Sequence, residues 1–169
     1  GASGCGKSIF FNILCGLIKN YEGTIEINDI DFKMLNLTDL RKVIGITFQD
    51  NRVFNLSFEE AIKLSTDSPI DGVVKICEIQ DIYEHNKTGC VSNDKLSGGE
   101  KSRINLAQSL IREPKVLLID ESLSALDEEM EIRILNNIVN RFKDITIILI
   151  SHRKTSKGFF DKKISFTIQ

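Results

Sequence analysis

The first eight residues, GASGCGKS (Gly1–Ser8), have the GxxxxGK[ST] spacing that builds a phosphate-binding loop. Gly1, Gly4 and Gly6, with Ala2, Ser3 and Cys5 between them, let successive backbone N–H groups turn inward around phosphate oxygens. Lys7 then reaches the terminal phosphates, and the Ser8 hydroxyl is placed to ligate Mg²⁺. Far downstream, LSGGE (Leu96–Glu100) sets Ser97, Gly98 and Gly99 in front of a charged, amphipathic stretch, a second helix start suited to an anion. One nucleotide needs only one such loop. The second makes sense when two chains related by a two-fold axis each lend Ser97–Gly99 to the other's phosphates. Its plain alternative is a glycine turn before a helix.

Four further residues could complete the chemistry, at the ends of three apolar runs. VLLIDE (Val116–Glu121) ends in two carboxylates: Asp120 to hold Mg²⁺, directly or through water, and Glu121 to polarise an attacking water as general base. A lone Asp-Glu pair would read as a helix N-cap with a surface acid, but the phosphate loop and the buried run favour function. Gln49 follows Ile44–Phe48, where an amide could reach both Mg²⁺ and the water, and an ordinary turn residue is its alternative. His152 follows Ile145–Ile150 and could contact the γ-phosphate and Glu121; a lone histidine is otherwise a structural residue.

The elements that must position these residues follow from the apolar pattern. Ser8–Leu17 has helical spacing through Ile9, Phe10, Ile13, Leu14 and Leu17, right behind the glycine-rich turn. Gly23–Asn28 alternates as a strand, Leu37–Lys42 reads as a short helix, and Val43–Phe48 as a buried strand. Helices are expected at Ser57–Leu64 and Asp71–Tyr83, and a polar loop at Glu84–Asp94. A helix over Ser97–Ile111 stops before Pro114. Then come Val116–Ile119, a helix near Glu128–Phe142, and Ile145–Ile150; the two apolar runs suit strands buried on both faces of a parallel sheet. Strands alternating with helices make the fold α/β, wound on both sides. A phosphate loop hangs between a strand and a helix, and no strand precedes Gly1, so the chain is expected to be a piece of a longer polypeptide lacking its N-terminal strands.

The bulk numbers exclude several classes. With 169 residues, 41% apolar and 27% charged, the chain has the mix of a soluble globular domain. A net charge of −2 argues against a basic nucleic-acid surface, so no nucleic acid is expected. Cys5, Cys15, Cys77 and Cys90 form no CxxC pair, which speaks against zinc or a disulfide framework and for a reducing, cytosolic setting. No apolar run approaches the roughly 20 residues that span a bilayer.

Taken together, the motifs resemble the nucleotide-binding domain of ATP-binding cassette (ABC) proteins, in the family's order and over essentially the whole chain. The Walker A loop is GASGCGKS, the Q-loop glutamine Gln49, the signature LSGGE, Walker B VLLIDE, the D-loop SALD (Ser124–Asp127) and the switch histidine His152. The resemblance implies a P-loop fold over residues 1–169, with a largely parallel sheet, a small antiparallel β part and a helical subdomain at approximately 50–112. It implies ATP and Mg²⁺ as ligands and hydrolysis at two sites between paired domains. There Leu96, Ser97, Gly98, Gly99 and Glu100 serve the partner's ATP, and Asp127 couples the sites at the interface.

DLRKVIGITFQDNRVF (Asp39–Phe54) and SHR (Ser151–Arg153) look like the bacterial exporter branch. In that branch the region around Asp50–Leu64 receives a membrane domain, which implies a place on the cytoplasmic face of the membrane. Three positions depart from the usual pattern: Glu100 for Gln, which adds charge near the partner's phosphates, Gln108 for Arg, and Leu123 for Thr. The competing readings are a soluble ABC ATPase of the DNA-repair, ribosome-associated or iron–sulfur type, and a partner subunit that binds without hydrolysing. Lys7, Asp120, Glu121 and His152 argue against the latter.

Overall fold

The computed structural model describes residues 4–48, 50, 52–64, 66–86, 89–153 and 159–166. Helix α1 (Lys7–Leu14) starts behind Gly6, whose φ of 93° is a left-handed value that glycine adopts without steric cost. Strands β1 (Glu26–Ile27) and β2 (Ile30–Asp31) form an antiparallel hairpin with Ile27 opposite Ile30. Its two turn residues, Asn28 and Asp29, both have positive φ, as a tight hairpin turn matching strand twist requires. The strand expected over Gly23–Asn28 is thus the first arm of this hairpin. Helix α2 (Leu37–Val43) is capped by the Asn36 carboxamide, which accepts from the Thr38 N–H at 2.8 Å, and it runs directly into β3 (Ile44–Thr47).

The chain then forms β4 (Leu56–Ser57), α3 (Phe58–Lys63), α4 (Asp71–Ile76), α5 (Gln80–His85) and β5 (Cys90–Val91). It continues through α6 (Gly98–Leu110), β6 (Val116–Asp120), α7 (Glu128–Arg141) and β7 (Thr146–Ile150). Strands β3, β6 and β7 make a parallel sheet in the order β3-β6-β7, with Ile46 beside Leu118 and Leu118 beside Ile148. The pleat of β6 sends alternate residues to opposite faces. Leu117 and Ile119 pack with residues of α3, α4, α6 and α7, while Leu118 packs with Phe11 and Leu14 of α1 and Leu40 of α2. The sheet is therefore covered on both sides, as the continuous apolar runs require.

Two segments differ from the sequence expectation. Asp71–Tyr83 is broken into α4 and α5 because Glu78 takes φ 53°, and the Ile79 N–H closes back onto the Val74 carbonyl at 3.0 Å. That is how helices end at a left-handed residue. The Glu78 carboxylate is gripped by both ends of the Arg133 fork, at 3.2 Å each, which secures the turn against α7. The polar stretch Glu84–Asp94 contains β5, whose fully buried Val91 pairs with Leu56 of β4. Two residues carry no readable alternation.

Gly45 is required by space rather than by φ. A Cβ there would lie 2.5 Å from the Ser109 carbonyl oxygen of α6 and 3.0 Å from the Pro114 ring. Backbone cannot yield as a side-chain tip can, so Gly45→Ala is expected to destabilise the fold by roughly 1–3 kcal/mol, an overpacking cost. Thermal unfolding reads this directly, and an unchanged midpoint would mean that α6 does not rest on β3 so closely.

Candidate nucleotide-binding site

The phosphate loop leads into α1, and α1 lies on β6 through Phe11, Leu14 and Leu118. Gly4 (φ 78°) and Gly6 (φ 93°) both occupy the left-handed region, and a Cβ at either would meet nothing within 4 Å among the described residues. Conformation, not crowding, calls for glycine there. The N-cap of α1 is Gly6, which has no side chain to cap the helix, and Lys7 and the exposed Ser8 form its first turn. The Lys7 ammonium stands 3.7 Å from Cys5 Sγ, folded back over the loop. Gly1, Ala2, Ser3 and Gln49 lie outside the described residues.

Asp120 ends β6 in register with Ile150 of β7 and is only 7% exposed. By the alternation of β6 it shares the face of Leu118, the side on which α1 packs, so its carboxylate belongs to the phosphate-loop side of the sheet. Glu121 follows in a left-handed conformation, φ 51° and ψ 4°, unusual for a residue with a Cβ. Its backbone N–H donates to the Ile150 carbonyl at 3.0 Å. Its carboxylate is 2.8 Å from His152 Nε2, which donates when that ring nitrogen carries the proton. The ends of two adjacent strands therefore fix Glu121 through both backbone and side chain. The structure brings together Glu121 and His152, 31 positions apart in the sequence.

The neighbouring strand end is tied in by residues that motif reading passed over. Thr47 Oγ1, at the end of β3, lies 2.6 Å from Ser122 Oγ, and both residues are buried. The bond pins the chain just before Gln49 to the chain just after Glu121. A buried hydroxyl pair carries no sequence signature across such a separation.

The signature and the D-loop form one surface. Ser97 caps α6: its Oγ accepts from the Glu100 N–H at 3.3 Å, while the Glu100 carboxylate accepts from the Ser97 N–H at 2.7 Å and from the Ser97 hydroxyl at 2.8 Å. This reciprocal box turns the Glu100 charge back onto its own helix start. Gly98 and Gly99 lie over the turn Ser122–Ala125; a Cβ on Gly99 would sit 3.4 Å from the Ala125 carbonyl oxygen. Leu126 is buried as the anchor, and Asp127 is exposed and caps α7, accepting from the Met130 N–H at 2.8 Å. Gln108 donates to the Ala61 carbonyl at 2.7 Å, joining α6 to α3, and Leu123 is buried in the core. Leu96 is half-buried against the same core.

The Ser97 N–H lowers the Glu100 carboxyl from its ordinary value; burial pushes the other way, and the Ser97 hydroxyl and the nearby Arg103 and His85 add smaller downward contributions. With its folded value depressed, the box contributes its full stability above the unfolded value of about 4.3 and loses it as pH falls through the folded one. Ser97→Ala is expected to cost about 1 kcal/mol at neutral pH. The Ser97 N–H keeps its bond to the Glu100 carboxylate in this variant, while the Glu100 N–H loses its hydroxyl acceptor at every pH, so most of the difference should persist into acid. Unfolding of parent and variant across pH 7 to 2 checks this, and equal stability at neutral pH would contradict it.

These features define a class: a P-loop nucleotide-binding α/β domain with its chemistry at the carboxyl ends of parallel strands. A model of the ABC transporter family matches residues 1–124. The chain is 33% identical to the colicin V secretion/processing ATP-binding protein CvaB of Escherichia coli, over 98% of this chain and 25% of that protein. It is likewise 33% identical to the ATP-dependent permease MDL1 of Candida albicans, over 98% of this chain and 26% of that protein. A bacterial Atm1-family ABC exporter solved with ATP bound superposes with a TM-score of 0.85 at 33% identity, covering 92% of this chain and 29% of that one. The chain belongs to the ABC transporter family and corresponds to its ATP-binding domain, a domain family that hydrolyses ATP. It spans about a quarter of the length of these two curated relatives.

Proposed function

We propose that the chain is the motor domain of a membrane exporter, closing in pairs around two ATP molecules and reopening on hydrolysis. The observation that carries the reading is the Glu121–His152 pair at 2.8 Å, poised at the ends of β6 and β7 on the sheet that bears the phosphate loop. Lys7 and the N–H groups of Gly1–Ser8 take the phosphates. The Ser8 hydroxyl, Asp120 and Gln49 are oxygen donors of the kind Mg²⁺ selects, needing only a few protein ligands beside phosphate and water. Bound Mg²⁺ would neutralise charge on the transferred phosphoryl group. Glu121 would take a proton from the attacking water, and His152 would hold Glu121 and contact the γ-phosphate.

The partner domain would supply Leu96–Glu100 and Asp127 to each site. Ser97 and Gly98 are exposed, and Gly98 and Gly99 lie against the D-loop turn, so the signature and Asp127 are available on one surface of the chain. Residues 50–112 would act as the helical subdomain that carries the signature toward the partner's nucleotide. A membrane domain would bear on the region around Asp50–Leu64, which leaves Phe54 (62%) and Leu64 (52%) exposed beside Phe48 (43%). No described helix is long and apolar enough to cross a membrane, so that domain would be a separate segment. Attachment to it would put the chain at the cytoplasmic face.

The reading is tested on the complete polypeptide in membranes by following Mg-ATP hydrolysis together with crosslinking from a cysteine at Phe54. Turnover, with crosslinks into a membrane-spanning segment, is the expected result. Turnover without such crosslinks would favour a soluble ABC ATPase, and ATP binding without turnover would favour a non-hydrolysing subunit.

A further inference from the structure

Arg153 is one peptide bond beyond His152, and its guanidinium reaches two other elements. Nη1 is 3.0 Å from a carboxylate oxygen of Glu131 on α7, and Nη2 donates to the Ser124 carbonyl at 2.5 Å. Glu131 is 3% exposed, one turn into α7, where its own N–H donates to the Asp127 carbonyl at 3.0 Å. The Arg153 side chain is 30% exposed, but the Glu131 carboxylate beneath it is buried, and removing the guanidinium takes away the partner of that buried group, so the Arg153–Glu131 contact is a fixed point. From that point one arm of the fork holds Ser124 at the start of the D-loop. The backbone on the other side carries His152, and with it Glu121.

We propose that Arg153 is a positioning residue that couples the partner-facing turn Ser124–Asp127 to the Glu121–His152 pair. The proposal rests on the two-site reading above. A displacement of the D-loop by a partner domain pulls on the Ser124 carbonyl. The rigid guanidinium passes that pull to the segment Ile150–His152, whose carbonyl and imidazole hold Glu121. The planar fork is what suits arginine to the task, since it faces two acceptors at once in a fixed geometry. Lysine could keep the charge pairing with Glu131 but presents a single ammonium.

The test compares Arg153→Lys and Arg153→Met in the complete polypeptide, with turnover normalised to bound ATP. Both variants are expected to lose at least about tenfold in kcat, as a small misplacement of catalytic groups does. KM for ATP should move by less than about twofold, because the phosphate loop is untouched. Cooperativity in ATP should fall toward a Hill coefficient of about one. The lysine variant should retain the parent's unfolding midpoint to within about 2 °C. That separation of kcat from stability is what a merely structural role would not produce. Full recovery of kcat and cooperativity in the lysine variant would overturn the proposal, since charge alone would then suffice. So would a methionine variant that loses stability but keeps its kcat per bound ATP. If the parent itself turned over without cooperativity, the paired-site reading would fall, while the kcat comparison would still decide whether Arg153 holds the Glu121–His152 pair.

Discussion

Glu121→Gln is expected to lower ATP turnover by about 10²- to 10⁴-fold, the usual contribution of a positioned general base. Glutamine keeps the shape and removes the proton-accepting charge. The backbone around it should not move, because the Glu121 N–H bond to Ile150 and the left-handed φ of 51° do not depend on the carboxylate. The residue also keeps an amide oxygen within reach of His152 Nε2, which now stands 2.8 Å from Oε1. ATP affinity should therefore stay near the parent's, and the variant should hold ATP rather than lose it. Phosphate release measured beside equilibrium binding of labelled ATP separates the two quantities. Turnover within about threefold of the parent would place the base elsewhere.

The second large effect is on binding. Lys7→Ala should weaken ATP affinity by about 30- to 5,000-fold, corresponding to about 2–5 kcal/mol for removing a hydrogen-bonded charge from its partner. Lys7 opens α1 with its ammonium folded back toward Cys5, at 3.7 Å from the sulfur. The fold should hardly notice, since α1 is secured on β6 by Phe11 and Leu14 and not by its first turn. Equilibrium binding at fixed Mg²⁺, with thermal unfolding alongside, checks both halves. An affinity loss matched by a large fall in the unfolding midpoint would point to a structural lysine instead.

The parts legible in the sequence are those whose cause is local. Glycines at Gly4 and Gly6 announce left-handed backbone, and the apolar runs announce strands: the central β6 is buried from Leu117 to Asp120, whereas β7 is half-buried over Ile147–Leu149 and exposed at Thr146. The Ser97–Glu100 box is likewise a four-residue pattern, although its consequence for the Glu100 charge is not: the sequence reading sets that charge near the partner's phosphates, and the helix cap ties it to the start of its own helix. What stayed hidden acts through space. The turn at Glu78 is tied to Arg133 of α7, far along the chain, and the β4–β5 ladder joins two pairs of residues too short to show a period. Within the site, the Thr47–Ser122 bond and the Arg153 fork join residues whose types are ordinary and whose meaning comes only from their neighbours. The motif residues thus name the chemistry, and their supports became visible only once the sheet had brought three strand ends together.

The account turns on two nucleotide sites that each borrow a signature from the partner, and mixed pairs of variants test this most directly. Lys7→Ala removes the phosphate contact from one chain. Ser97→Asp keeps a good N-cap on α6 while setting a carboxylate against phosphate. Each variant paired with itself spoils both sites. If the sites are shared between chains, a mixed pair gathers both defects into one site and leaves the other intact. ATP hydrolysis should then rise well above that of either variant alone. If each chain completed its own site, the mixed pair would have none intact, and activity no greater than the average of the two parents would contradict the account.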